Sequence, residues 1–248
     1  MELARSLRRR HRVVRPAAPV HRPAMRPRRA PRRSVLRRFA RESFNIILGA
    51  LFRIRLEGEP PAQGPYILAA NHQGWVDGFL LLALFPAAPR LVFLGDSHGV
   101  TNRWWKRAVL ALFGGVIRID RSRSADAGAI AAGLACLRSG DVLVVFPEGR
   151  VSRREDALAP FHRGIGYLAH KAHVPILPVH LSGTAELYLG RELVVRVGAL
   201  RHPTGTGAIR AASEALARAS RADVAALAPV WREPAVARKR LGWLTNLL

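Results

Sequence analysis

His72 and Asp77 stand five residues apart in the stretch NHQGWVD, between the apolar runs YILAA and GFLLLALF. A turn here can fold the carboxylate back onto the imidazole. That bond would fix the ring tautomer and support an imidazolium, leaving the other ring nitrogen to take a proton. A base of this kind activates a hydroxyl. No G-x-S-x-G elbow is present to supply a serine, so the proton is expected to come from a substrate alcohol. A zinc site is poorly supported, because the stretch lacks a His pair at i, i+4 and a cysteine cluster. His170 and His173 in HKAH are three apart, a spacing that alone says little about metal. The plain alternative for NHQGWVD is a polar turn joining two buried elements.

A second cluster is FPEG at 146–149. It puts Glu148 at the end of an apolar run, beside a glycine that permits close backbone approach. Taken alone it reads as an ordinary left-handed turn with a solvated glutamate. Arg121 follows VIRID. Singly it is a surface ion-pair residue; beside a catalytic histidine it is a candidate phosphate clamp.

The elements around these residues alternate. PYILAANH, RLVFLGD, VIRIDR, DVLVVFPEG, VPILPVHLSG and ELVVRVGAL read as strands, after a short strand in RIRLEGEP. WVDGFLLLALF, NRWWKRAVLALFGG, SADAGAIAAGLACLRSG, RGIGYLAHKAH and GAIRAASEALARASRADVAALA read as helices. This alternation predicts an α/β domain with a mixed, largely parallel sheet flanked by helices. In open α/β sheets, ligands bind beyond the carboxyl ends of strands. Asn71-His72, Asp120-Arg121 and FPEG all fall at such ends. Ahead of the domain, residues 34–54 read as an amphipathic helix or helix pair. Val35, Leu36, Phe39, Phe44, Ile46, Ile47, Leu51 and Phe52 are apolar, with Arg37, Arg38 and Arg41 flanking them. A membrane-interfacial helix has this balance, and so does a helix packed on its own domain. The expected organisation is a disordered Arg/Pro-rich tail over 1–33, the amphipathic segment over 34–54 and a catalytic domain over 55–248.

Charge limits the partners. The 248 residues hold 40 Lys+Arg against 17 Asp+Glu, a formal +23. Residues 1–40 contain fourteen arginines and one acid, Glu2, and so carry more than half of that excess. Anionic partners follow: lipid, phosphorylated substrate or nucleic acid. Specific nucleic-acid binding is disfavoured by the lack of a zinc finger, an RNP-like segment or a bZIP-like heptad pattern. The single cysteine, Cys136, excludes an intrachain disulfide, fits a reducing compartment and reads as a small core residue. No apolar run approaches the roughly 18 residues of a membrane span, and the first 30 residues show no signal-peptide core. Export is therefore not expected.

Taken together and in order, NHQGWVD, GVIRIDR (115–121), FPEGRVS (146–152) and VPILPV (174–179) resemble the four motif blocks of the glycerolipid acyltransferase family, best known through the lysophosphatidic-acid acyltransferases. The resemblance spans about 65–185. It implies that His72 is the general base, oriented by Asp77, and that no covalent acyl-enzyme forms. It also implies that Arg121, Glu148 and Gly149 bind the glycerol-phosphate of the acceptor, with Asn71 and Arg150 as further substrate-binding candidates. The donor would be an acyl thioester, acyl-CoA or acyl carrier protein, with no metal and no other cofactor. The acceptor would be a lysophospholipid, foremost 1-acyl-glycerol-3-phosphate. Acceptors of the same reaction also include a lyso-ornithine lipid, another lysophospholipid or a glycolipid. Two departures bear on the acceptor. The third block often reads FPEG-Thr-Arg-Ser, whereas here Arg150 comes one place early and Val151 stands where an arginine is usual. In the second block Arg118 replaces a usually apolar residue. Trp104 and Trp105 in WWKR suit a bilayer surface, and the expected location is the cytoplasmic face of a membrane, peripheral or monotopic.

Overall fold

The four-residue strand ILAA cannot expose either face, since all four side chains are buried. Such a strand belongs in the middle of a parallel sheet covered on both sides. The computed structural model describes residues 33–96, 115–119, 127–204, 207–230 and 239–246. It places this segment, β2 (Ile67–Ala70), at the centre of a seven-stranded sheet. The other strands are β1 (Phe52–Glu57), β3 (Leu91–Asp96), β4 (Gly115–Ile119), β5 (Val142–Val145), β6 (Ile176–Ser182) and β7 (Arg191–Val197). Their order is β1-β7-β6-β2-β5-β3-β4. Every neighbouring pair is parallel except β6 and β7, which are antiparallel. The mixed, largely parallel α/β sheet expected from the alternation of elements is thus the observed fold.

Alternation along the central strands divides the core into two layers. Leu68, Ala70, Val144 and Val179 face one side, where α1 (Arg33–Leu51) and α2 (Val76–Leu84) pack. Ile67, Ala69, Leu143 and Ile176 face the other. There they meet α3 (Ala127–Arg138), α4 (Gly164–Ala172) and α5 (Ile209–Ala226). The α4–α5 approach is close enough to require Gly166, where a Cβ would lie 2.1 Å from the Ser213 carbonyl oxygen. A short 3-10 helix, Gly242–Asn246, joins the α1–α2 side through buried Leu244.

One boundary differs from the sequence expectation. The helix expected over 34–54 is a single helix that ends at Leu51, and Phe52 to Ile54 belong to β1. The reason is tertiary: FRIRLE finds a parallel partner in β7, pairing Phe52 with Arg191 and Ile54 with Leu193. Phe52 is then buried while Arg53 and Arg55 point to solvent. Residues 1–32 of the tail expected over 1–33, residues 102–114 of the helix expected in NRWWKRAVLALFGG, and Arg121 lie outside the described residues, while Arg33 opens α1 and Gly115 opens β4. No helix among the described residues is long and apolar enough to cross a membrane.

β6 also carries a buried ionisable group. His180 contacts Ser182 Oγ at 3.1 Å through Nδ1. Burial, reinforced by the Arg196 cation, pushes its pKa down from 6.5 to about 4. A depressed folded-state pKa means that the unfolded chain takes up the proton first as pH falls. The contribution is therefore present above pH ~6.5 and lost towards pH 4, a difference on the order of 3 kcal/mol. Denaturant unfolding at stepped pH should show wild type losing more stability between 6.5 and 4 than His180→Leu does. Parallel curves for the two proteins would contradict this.

Candidate active site

The turn between β2 and α2 is built around one oxygen. Asp77 Oδ2 accepts the backbone N–H groups of Gln73 at 2.7 Å and Gly74 at 2.9 Å, and lies 2.7 Å from His72 Nδ1. Asp77 sits in the first turn of α2, where a carboxylate is favoured by the orphan amides and the helix dipole. Its side chain is fully buried, whereas that of His72 is 24% exposed. A carboxylate only accepts, so the imidazole donates from Nδ1 and the neutral ring carries its lone pair on Nε2. The ring is further held by Phe146, stacked at 4.2 Å between centroids and 18° between planes.

The FPEGRVS segment clamps the backbone of the same histidine. Glu148 Oε1 accepts the His72 N–H at 3.0 Å, and the His72 carbonyl accepts the Ser152 N–H at 2.7 Å. Glu148 Oε2 accepts the Ala159 N–H at 2.8 Å. Arg221 on α5 then donates to the carbonyls of Leu158 and Ala159 at 2.5 and 3.0 Å, tying this loop to the helix layer. Glu148 was expected to bind the acceptor. In the structure it is 4% exposed and both its oxygens serve backbone amides. It holds the His72 backbone, because a buried carboxylate must find donors and the nearest are main-chain N–H groups.

Asn71 is likewise engaged by main-chain atoms. It is buried, donates to the Leu181 carbonyl at 2.9 Å and accepts the Leu181 N–H at 2.7 Å. It clasps the end of β2 to β6 where strand pairing ceases. Gly149 has a φ of 69°, and a Cβ there would come within 2.8 Å of His162 Nε2. Its glycine identity is accounted for by the turn and by His162. Arg150 is exposed, one residue beyond that turn. Arg153 and Arg154 are exposed too, donating to Asn246 at 3.0 Å and pairing with Asp156 at 3.0 Å.

Several positioning residues went unrecognised in the sequence. Gln73 is buried, accepts from Thr184 Oγ1 at 2.9 Å and donates to the Arg154 carbonyl at 3.2 Å. Glu155 accepts the N–H groups of Gly183 and Ala185 at 2.9 and 3.1 Å and pairs with buried Arg191 at 3.5 Å. The His72–Asp77 turn, the loop after β5 and the turn between β6 and β7 are thus one polar assembly. A glutamine next to the histidine and an acid in a run of arginines were the only sequence hints. The partners are too distant along the chain for spacing to reveal them. Among the described residues, no group of three or more His, Cys, Asp or Glu side chains is placed to hold a metal ion.

Comparison with known proteins fits this geometry. The curated relatives include 1-acyl-sn-glycerol-3-phosphate acyltransferase alpha of Ovis aries, 36% identical over 153 residues, covering 57% of this chain and 50% of that protein. The human protein of the same name matches to the same extent. The 1-acyl-sn-glycerol-3-phosphate acyltransferase of Saccharomyces cerevisiae is 33% identical over 129 residues, covering 51% of this chain and 41% of that protein. The chain spans about half the length of the curated relatives it matches. The fold is shared with the crystal structure of the 1-acyl-sn-glycerophosphate (LPA) acyltransferase PlsC from Thermotoga maritima. That match has a TM-score of 0.60 at 20% identity, covering 82% of this chain and 86% of that one. The Acyltransferase family model matches residues 53–182, from β1 to the end of β6, and so includes His72, Asp77 and Glu148. The chain belongs to the Acyltransferase family.

Proposed function

We propose that the protein is an O-acyltransferase that moves a fatty acyl group from an acyl thioester to the free hydroxyl of a lysophospholipid. The acceptor is foremost 1-acyl-glycerol-3-phosphate, giving phosphatidic acid. The observation that carries the reading is the 2.7 Å contact of His72 Nδ1 with buried Asp77, inside the segment matched by the family model.

The chemistry follows from that contact. With Nδ1–H donated to Asp77, Nε2 accepts the proton of the acceptor hydroxyl as its oxygen attacks the thioester carbonyl. The C–O bond forms, the carbonyl π electrons move onto oxygen, and their return expels the thiolate. The imidazolium returns its proton to the departing sulfur. Asp77 stabilises the cation in between, and its two backbone N–H bonds keep the carboxylate from rotating away. The donor is acyl-CoA or acyl carrier protein, and no metal or other cofactor enters any step. The relatives' names supply the acceptor: those proteins are 1-acyl-sn-glycerol-3-phosphate acyltransferases. The reaction is placed at the cytoplasmic face of a membrane, with the protein peripheral or monotopic.

One observation keeps a second acceptor class in view. Arg150 and Val151 are both exposed just past the FPEG turn, in an order that departs from the usual block. This suits another lipid acceptor, such as a lyso-ornithine lipid, a different lysophospholipid or a glycolipid. A panel of acceptors with acyl-CoA or acyl carrier protein, read by mass spectrometry of the products, decides. Phosphatidic acid as the main product is expected. A clear preference for an unphosphorylated acceptor would sink the lysophosphatidate assignment, and no acylated lipid from any pair would sink the reaction.

A further inference from the structure

Five of the ten large apolar side chains exposed among the described residues gather on three bonded segments. Ile46 and Ile47, 72% and 55% exposed, lie near the end of α1. Leu189 precedes β7, and Leu241 and Trp243 belong to the closing segment 239–246. The segments are joined through their backbones: Leu51 O accepts the Gly190 N–H at 2.7 Å, and Arg240 O accepts the Leu189 N–H at 2.9 Å.

The closing segment lies beyond the residues matched by the family model, yet its inner side is fastened to the catalytic turn. Leu244 is buried, and its carbonyl accepts the Trp75 indole N–H at 2.8 Å. Thr245 Oγ1 accepts the Leu187 N–H at 2.8 Å, and Asn246 Oδ1 accepts from Arg153 at 3.0 Å. Trp75 lies between Gly74 and Val76 in the loop that wraps the Asp77 carboxylate. On the outer side, Trp243 is 60% exposed, and Leu241 is held at φ 60°, a conformation unfavourable for a side chain with a Cβ. Arg238, Lys239 and Arg240 immediately precede them, with Lys239 paired to Glu186 at 2.6 Å. Tryptophan and leucine beside a basic run suit the boundary between headgroups and acyl chains. A second copy of a chain with formal charge +23 is disfavoured as occupant by like-charge repulsion.

We propose that the segment Lys239–Asn246 docks on an anionic lipid surface through Leu241 and Trp243, with Leu189, Ile46 and Ile47 exposed on the segments bonded to it, and so brings the Trp75 turn to that surface. The docking stands on the surface chemistry; its use in acyl transfer rests on the function proposed above.

The test uses the full chain and co-sedimentation with vesicles of phosphatidylcholine mixed with phosphatidylglycerol. Salt is added to screen the long-range pull of the arginine-rich N-terminal region. Trp243→Asp is expected to weaken vesicle partition by about tenfold, since it removes an apolar contact and adds a like charge to an anionic surface. Leu241→Gly is the second variant. Glycine takes φ 60° without strain, so weaker partition there reports lost lipid contact and not misfolding. Turnover of vesicle-embedded acceptor should fall in both variants, with turnover of a monomeric short-chain lysophosphatidate unchanged. Wild-type partition in both variants overturns the proposal. So does a wild-type dimer that Trp243→Asp disperses, which would assign the face to a second copy. If wild type acylates neither acceptor, the acyl-transfer reading fails while the partition measurement still judges the docking.

Discussion

His72→Ala is expected to lower the release of free thiol from acyl-CoA and lysophosphatidate by about 10²- to 10⁴-fold, the range attributed to a positioned general base. The fold should survive, because the imidazole is partly exposed and its backbone clamps to Glu148 and Ser152 involve main-chain atoms. Near-normal turnover in His72→Ala, with an unchanged melting transition, would show that another group removes the proton. Asp77→Asn should act in the same direction. An amide oxygen at that site can still accept from Nδ1, Gln73 and Gly74, but it carries no charge and so stabilises the imidazolium less.

Glu148→Ala is the second large effect, and it separates two roles for that residue. As a contact to the acceptor's phosphate, Glu148 could be removed with little loss of stability and a rise in KM. The structure gives it the amides of His72 and Ala159 instead. Its removal leaves both donors without their acceptor, at about 1–3 kcal/mol each. Chemical denaturation should therefore show a loss of about 2–6 kcal/mol. The surviving enzyme should lose kcat more than it gains in KM, because the imidazole is displaced from its working position. Glu148→Gln should fall between, since the amide oxygen can serve one of the two N–H groups while its NH₂ opposes the other. Unchanged stability in Glu148→Ala, paired with a raised KM, would return the residue to the substrate.

Two kinds of information are separable in this protein. The α/β alternation, the buried central strands and the placing of His72 and FPEG at strand ends were legible in the sequence. Each is written in local hydrophobic periodicity. The His72–Asp77 contact was also within reach, because five residues and one turn suffice to close it. The end of α1 was not. FRIRLE could extend the helix or form a strand, and pairing with β7, far along the chain, decided for the strand. Nor could spacing tell what Glu148 and Asn71 do. Their partners are backbone atoms 76 and 110 residues away, chosen by the relative positions of β2, β5 and β6. GWLTN gives no periodic signal, yet Leu244 is buried and its carbonyl holds Trp75. The sequence by itself determined which groups can do chemistry and which strands must be buried, since side-chain type and local pattern settle both. Tertiary structure alone decided which polar groups support the base and which surface remains apolar, because burial assigns each polar group whatever partner the assembled sheet brings within reach.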